Sequence, residues 1–226
     1  MAVMTRLLAL IGFALLAGAA APAPQARDWT RTVTQTASGS FVMGNPGARV
    51  KVIEYLSYTC PHCAAFTHES APVLRGQMIK SGKVSLELRN AVREKLDLAA
   101  AALARCAGKQ DFFGATDALL ASQHDWYPRG AQFIETNGRR LGLYPESAQL
   151  RAYADGAGLT ALMKARGLRD AAIDGCFSPA ALAPVLGMTS EAWGKISGTP
   201  TFFVNGKIVP NAHWHELQPV LTAAGA

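Results

Sequence analysis

VIEYLSYTCPHC, running from Val52 to Cys63, carries two signals in succession. The first half is rich in β-branched and aromatic residues and reads as a strand, buried on both faces. The second half holds two cysteines separated by Pro61 and His62. Pro61 falls where a missing backbone N–H costs nothing, the first turn of the helix predicted over "AAFTHESAPVL". A strand therefore releases directly into a helix, with Cys60 at the junction.

Two cysteines at this spacing can bind a metal, form a structural bridge or exchange electrons. A zinc site needs a second pair or two histidines at set distances. His62 lies inside the motif, His68 is the nearest outside it, and His213 and His215 are far along the chain on either side of Trp214. A structural bridge across so tight a loop adds little loop-closure stabilisation. The helix N-terminus favours redox chemistry. Its unpaired N–H groups and positive dipole end stabilise a thiolate on Cys60. His62 adds a side chain that can carry positive charge near the sulfur. Cys63, one turn in, is predicted to remain a thiol and to resolve mixed disulfides formed at Cys60.

The magnitude sets the direction. A fall of about 3 units from a free thiol value of about 8.5 is worth about 4 kcal/mol to the thiolate. Near neutral pH about half of that, roughly 2 kcal/mol, favours the reduced form, which makes the couple about 45 mV more oxidising. Such a dithiol tends to give its disulfide away.

The chain has 226 residues, half of them hydrophobic and 17% charged, a composition that folds into a globular core and is not that of a disordered chain. Its formal charge is +6. The Lys and Arg residues are scattered, with no basic run or interleaved aromatic stripe, which argues against nucleic-acid binding. The start, "MAVMTRLLALIGFALLAGAAAPAPQ", has a basic residue, an apolar run too short to span a membrane, and small-x-small cleavage sites. Residues 1–21 are read as an export signal, with a retained anchor as the lesser alternative. Export puts the mature chain where disulfides persist.

Residues 22–40 are polar or small and read as an extended leader. "KVSLELRN" is a second strand. From 91 to 193 the texture is helical, including the Ala-rich "KLDLAAAALARCAG", "AQFIETNGRRLG" and "LTALMKARGLRDAAIDG", each read as one helix. Beta texture returns at "GTPTFFVNGKIVP", where Asn205-Gly206 marks a hairpin. "HWHELQPVLTAAG" closes the chain as a helix with Trp214, Leu217 and Leu221 inward. About 100 helical residues are too many for a loop. The order implies an α/β domain, 41–90 and 194–226, with a helical domain, 91–193, inserted into it.

"VIEYLSYTCPHC" and "GTPTFFVNGK", in this order and on either side of a helical insertion, resemble the thioredoxin superfamily, and CPHC with such an insertion resembles its DsbA-type disulfide oxidoreductases. The resemblance implies a thioredoxin-like fold: a mixed sheet flanked by helices with a large inserted helical domain. It implies that Thr199-Pro200 forms a cis-proline loop facing Cys60, where a substrate backbone pairs. It implies that Glu54 lies beneath the dithiol and relays the Cys63 proton. The alternative for Glu54 is a solvent-facing side chain or an ion pair with Lys51 or Lys207. Cys106 and Cys176 read as two buried thiols or as a bridge worth about 4 kcal/mol; a second pair in the helical domain of some DsbA-like proteins favours the bridge.

The resemblance further implies a periplasmic monomer without cofactor or metal. It would oxidise unfolded or reduced exported proteins and be reoxidised by a DsbB-like membrane partner. Thr199 departs from the Val of the best-studied oxidases and is similar to isomerases, so an isomerase or reductase is the alternative, with a CxxC/His metal carrier behind it. Phe112, Trp126, Tyr127 and Trp193 read as core before they read as a client groove. His124 and Asp125 read as surface.

Overall fold

The computed structural model describes residues 27–226. The export-signal reading of 1–21 lies outside the described residues. Six strands form one mixed sheet: β1 (Val33–Gln35), β2 (Phe41–Gly44), β3 (Val50–Leu56), β4 (Val84–Asn90), β5 (Thr201–Val204) and β6 (Lys207–Pro210). Their order across the sheet is β1-β2-β4-β3-β5-β6. β3 and β4 are central and parallel, and β5 runs antiparallel on the other side of β3. A parallel pair needs a crossover. It is supplied by α1 (Pro61–Val73), which passes into a π-helical turn, Leu74–Ile79, directly after Pro72. Pro72 lacks an amide hydrogen, so the regular hydrogen-bond ladder is interrupted there.

Central position explains the burial of β3. Val50, Val52, Glu54, Tyr55 and Leu56 are buried, and Lys51 at the start is exposed. The Asn205-Gly206 hairpin joins β5 to β6, and both turn residues have positive φ, 48° and 84°. That is the geometry which favours Asn-Gly there. Residues 33–35, read above as part of a leader, instead form edge strand β1 on β2. Three residues with only Val33 turned inward are too short a pattern to register in a Thr-rich stretch.

Between β4 and β5 lie α2 (Lys95–Cys106), α3 (Gly108–Ala121), α4 (Gln123–Leu141), α5 (Glu146–Ala157), α6 (Leu159–Ala165), α7 (Asp170–Cys176) and α8 (Pro179–Trp193). After β6 comes α9 (Trp214–Ala223), with Trp214, Leu217 and Leu221 buried. α2 is buried along most of its length, and its small alanines let α3, α5, α7 and α8 approach. At Gly130 on α4 an added Cβ would sit 2.6 Å from Leu96 of α2, so only glycine fits that crossing.

Two helix boundaries differ from the sequence reading. "LTALMKARGLRDAAIDG" is two helices, α6 and α7, broken at Gly167, whose φ is +98°. α4 starts at Gln123, well before "AQFIETNGRRLG", and carries Pro128 in its second turn. Trp126, buried and donating its indole N–H to the Leu119 carbonyl at 2.7 Å, anchors that turn.

The core is continuous from the sheet into the helices. Phe41 of β2 stacks on Phe112 of α3 with ring centroids 4.2 Å apart. Cys106 ends α2 and Cys176 ends α7, and the two are joined by a disulfide across 70 residues of sequence. Closing a loop of that length restricts the unfolded chain by up to about 4 kcal/mol. The Cys106→Ser/Cys176→Ser double variant is therefore expected to lose about 2–4 kcal/mol in urea unfolding, with Cys60 and Cys63 still reacting with thiol reagents.

Candidate active site

Cys60 is the N-cap residue of α1, with extended backbone (φ −90°, ψ 116°), and Pro61 follows as the first helical residue. The loop before it, Ser57–Thr59, is fully buried. The helices hold this loop. The buried Asp97 carboxylate on α2 accepts from the Tyr58 N–H at 2.8 Å and from the Arg93 N–H at 2.9 Å. The buried Gln123 amide on α4 donates to the Tyr58 carbonyl at 2.6 Å and the Cys60 carbonyl at 3.0 Å. The Tyr58 hydroxyl lies 2.9 Å from the Thr116 hydroxyl of α3. Sequence reading singled out neither Asp97 nor Gln123. A buried Asp in an Ala-rich apolar helix was the one available signal, since an unpaired buried carboxylate is costly.

The sheet brings the second half of the site. β5 pairs with β3 so that Tyr55 lies opposite Thr201 and Glu54 opposite Phe202. The residues before Thr201 therefore reach the end of β3, beside Cys60. The Thr199–Pro200 bond is cis, and the Thr199 carbonyl lies 3.1 Å from Cys60 Sγ. At Gly198 an added Cβ would meet the Asn211 side-chain oxygen at 2.5 Å, so a side chain there would displace Asn211.

The cysteines are both reduced and buried, and their acidities part in opposite directions. Cys60 falls to about 5. The main cause is a hydrogen bond from the Cys63 thiol; the Thr199 side chain and the Cys63 and His62 backbone N–H groups add to it, and burial opposes it. Cys63 is pushed well above the ordinary thiol value, first by burial and then by its bond to Cys60 and the negative charges of Cys60 and Glu54. The resting dithiol is a Cys60 thiolate beside a Cys63 thiol. The Thr199 carbonyl accepts from Cys60 only while that thiol keeps its proton, so the carbonyl itself opposes ionisation.

Glu54 is buried and makes no ion pair with Lys51 or Lys207. Burial raises its carboxyl to about 8, partly offset by the nearby Arg75 guanidinium, which is itself bonded to Asp117. Its Oε1 has no hydrogen-bond partner among the described residues. A carboxyl held neutral under the dithiol can give a proton to, or take one from, the Cys63 side of the pair.

His62 is exposed, and its backbone N–H faces the sulfur. Its ring meets His213 edge to face, with centroids 5.4 Å apart, and His213 stacks on His215. Among the described residues no group of three or more His, Cys, Asp or Glu side chains is arranged to hold a metal ion. Phe112 and Trp126 are core, while Tyr127 and Trp193 are exposed. His124 and Asp125 lie on the surface, 3.4 Å apart.

Residues 36–223 match the family model described as Thioredoxin. The chain belongs to the thioredoxin family. Curated relatives include putative protein-disulfide oxidoreductases of Rickettsia typhi and Rickettsia prowazekii, each 30% identical over 180 residues, covering 78% of this chain and 58% of the relative. The chain thus spans less than two thirds of their length. Among solved structures it is similar to a protein-disulfide isomerase from Novosphingobium aromaticivorans, with 33% identity, a TM-score of 0.74, and coverage of 82% of this chain and 97% of that one. It shares its fold with alpha-DsbA1 of Wolbachia pipientis, at 22% identity and a TM-score of 0.67 over 84% of this chain and 92% of that one.

Two titrations follow. Thiolate absorbance of the reduced protein is expected to rise with a midpoint near 5, from Cys60 alone. Glu54, raised from 4.5 to about 8, supports the fold only while protonated. Its contribution is complete below pH 4.5 and is lost as pH rises through about 8. Glu54→Gln is therefore expected to lose less stability than the parent between those limits, by up to about 5 kcal/mol in urea unfolding of the reduced protein.

Proposed function

We propose that this protein is an exported thiol:disulfide oxidoreductase that donates the Cys60–Cys63 disulfide to reduced client proteins. A client thiolate attacks Cys60 Sγ, forming the mixed disulfide and breaking the Cys60–Cys63 bond. Cys63 leaves and takes a proton, for which the neutral Glu54 carboxyl is the nearby source. A second client thiolate then attacks the client sulfur bonded to Cys60. The client disulfide forms and Cys60 departs as a thiolate. Two electrons pass from the client to the dithiol; of the two client protons one restores the proton that Glu54 gave to Cys63, and the other is released to solvent.

The observation that carries this reading is the split acidity of the pair, with Cys60 near 5 and Cys63 well above its ordinary value. At pH 7 an outer thiol of pKa about 5 makes the reduced form more favourable by about 2.7 kcal/mol, or about 60 mV. The sign is that of a depressed acid: the gain grows with pH above about 5 and disappears below it. The cis-proline loop supports client binding, since the Thr199 backbone lies open beside Cys60 for an extended chain to pair with. Residues 1–21 act as the export signal, the site is periplasmic, the protein works as a monomer, and a DsbB-like membrane protein restores the disulfide. The domain division is 41–90 with 194–226 and the insertion 91–193.

A second reading, an isomerase of the same fold, is favoured by Thr199 and by the likeness to the Novosphingobium aromaticivorans protein-disulfide isomerase. Equilibration with glutathione separates the two from a reductase. A donor is expected to be strongly oxidising, and a thioredoxin-like potential of about −270 mV overturns the proposal. Cys60→Ala is expected to abolish oxidation of a reduced client. Cys63→Ala is expected to accumulate mixed disulfides, visible by mass spectrometry. Refolding of a scrambled-disulfide client without added oxidant reports isomerase activity.

A further inference from the structure

The cleft over Cys60, about 410 Å³, continues past the cis-proline loop to a wall that the redox chemistry does not use. Arg93 and Trp193 form that wall. Arg93 lies in the turn between β4 and α2. Its guanidinium comes within 3.5 Å of the Thr59 carbonyl, one residue from the reacting sulfur. It is exposed, and among the described residues no carboxylate is within ion-pair distance of it. Its neighbour Glu94 is occupied, accepting from the Leu96 and Asp97 N–H groups at the start of α2. The cleft lining itself contains no acidic residue.

The wall is fixed in place. The Trp193 indole donates to the Val92 carbonyl at 2.9 Å, and the Val92 N–H donates to Thr189 of the same helix at 3.2 Å. Asp97 holds the Arg93 backbone. The indole is still 42% exposed and lines the same cleft as Arg93. Arg93 and Trp193 line the same cleft as Cys60 and Thr199, so the residues flanking a client cysteine held at Cys60 come within reach of the Arg93 side chain, which already touches the Thr59 carbonyl.

We infer that Arg93, beside the Trp193 indole, is a specificity-determining residue that favours client segments carrying a carboxylate next to the reacting cysteine. This rests on the client-oxidising function proposed above. The charge is complementary, and Arg can bind a carboxylate through two parallel hydrogen bonds.

The test uses the oxidised full-length protein and dithiol peptides that differ only in having Glu, Gln or Lys beside the first cysteine. Each oxidation rate is divided by that of the same peptide with hydroxyethyl disulfide, which removes differences in intrinsic thiol reactivity. The parent is expected to prefer Glu over Lys about two- to five-fold, the size of an exposed ion pair. Arg93→Glu is expected to invert the ratio, and 1 M salt to bring it close to unity. Arg139→Glu serves as a control of equal charge change. It sits on α4 sixteen residues beyond Gln123, about 24 Å away along the helix, and is expected to keep the parent ratio. A ratio that Arg93→Glu leaves unchanged, or moves no further than Arg139→Glu does, overturns the inference. If the parent oxidises all three peptides at equal normalised rates, the subsite fails and the donor reading stands. If it oxidises none, the donor reading fails and the subsite falls with it.

Discussion

One negative charge shared unequally between two sulfurs governs this site. Cys60 is stabilised as a thiolate chiefly because the Cys63 thiol donates a hydrogen bond to it, and Cys63 can donate only because it is itself unable to ionise. The hydrogen bond between them shifts both thiols in opposite directions, and burial of Cys63 is the larger part of its own rise. Burial raises both thiols, and Cys63 the more strongly. The helix adds to the asymmetry: Cys60 stands before the first turn, where the His62 and Cys63 N–H groups converge, and Cys63 stands inside it. The disulfide removes both the charge and its hydrogen bonds, so reduction restores a stabilisation that the oxidised form lacks.

Glu54 extends the same logic one layer down. A carboxylate there would place a second charge under the thiolate in a region without water-like screening, and the effect would be felt at Cys63 as well as at Glu54. The neutral acid avoids this. Arg75 opposes the shift, but its bond to Asp117 spends much of its charge on a partner of its own. The buried groups thus permit one negative charge, and the N-terminus of α1 decides that it resides on Cys60.

Much of this was legible in the sequence, and the legible parts share a cause. The strand, the dithiol, Pro61 and the Asn205-Gly206 turn are local signals whose physical meaning does not depend on distant residues. Glu54 stood out because a carboxylate interrupts an apolar strand. Asp97 and Gln123 were missed because their contacts arise only when α2 and α4 fold back over the 57–60 loop. Asp97 lies 37 residues after Cys60 and Gln123 lies 63 after it, and no local pattern relates them. The contact of His62 with His213 was not legible, since His213 lies 151 residues further along the chain. The edge strand β1 was lost because three residues give no period to read.

These missed contacts change what the helical block is for. A loop that ends in a nucleophile must hold the sulfur in place while its partner is exchanged, and a free four-residue loop would pay backbone entropy of about 1–2 kcal/mol per residue at each encounter. Here the Tyr58 N–H, the Tyr58 carbonyl and the Cys60 carbonyl are all bonded to side chains of α2 and α4. Their ordering is completed on folding, before any thiol exchange at Cys60. Asp97 is itself raised to about 7 by burial, so the clamp places a carboxyl where it is costly to ionise and keeps it because two backbone N–H groups need an acceptor. The helices therefore belong to the reacting centre as much as the sheet does: β3 and β5 set where the sulfurs meet the cis-proline loop, and α2 and α4 keep them there.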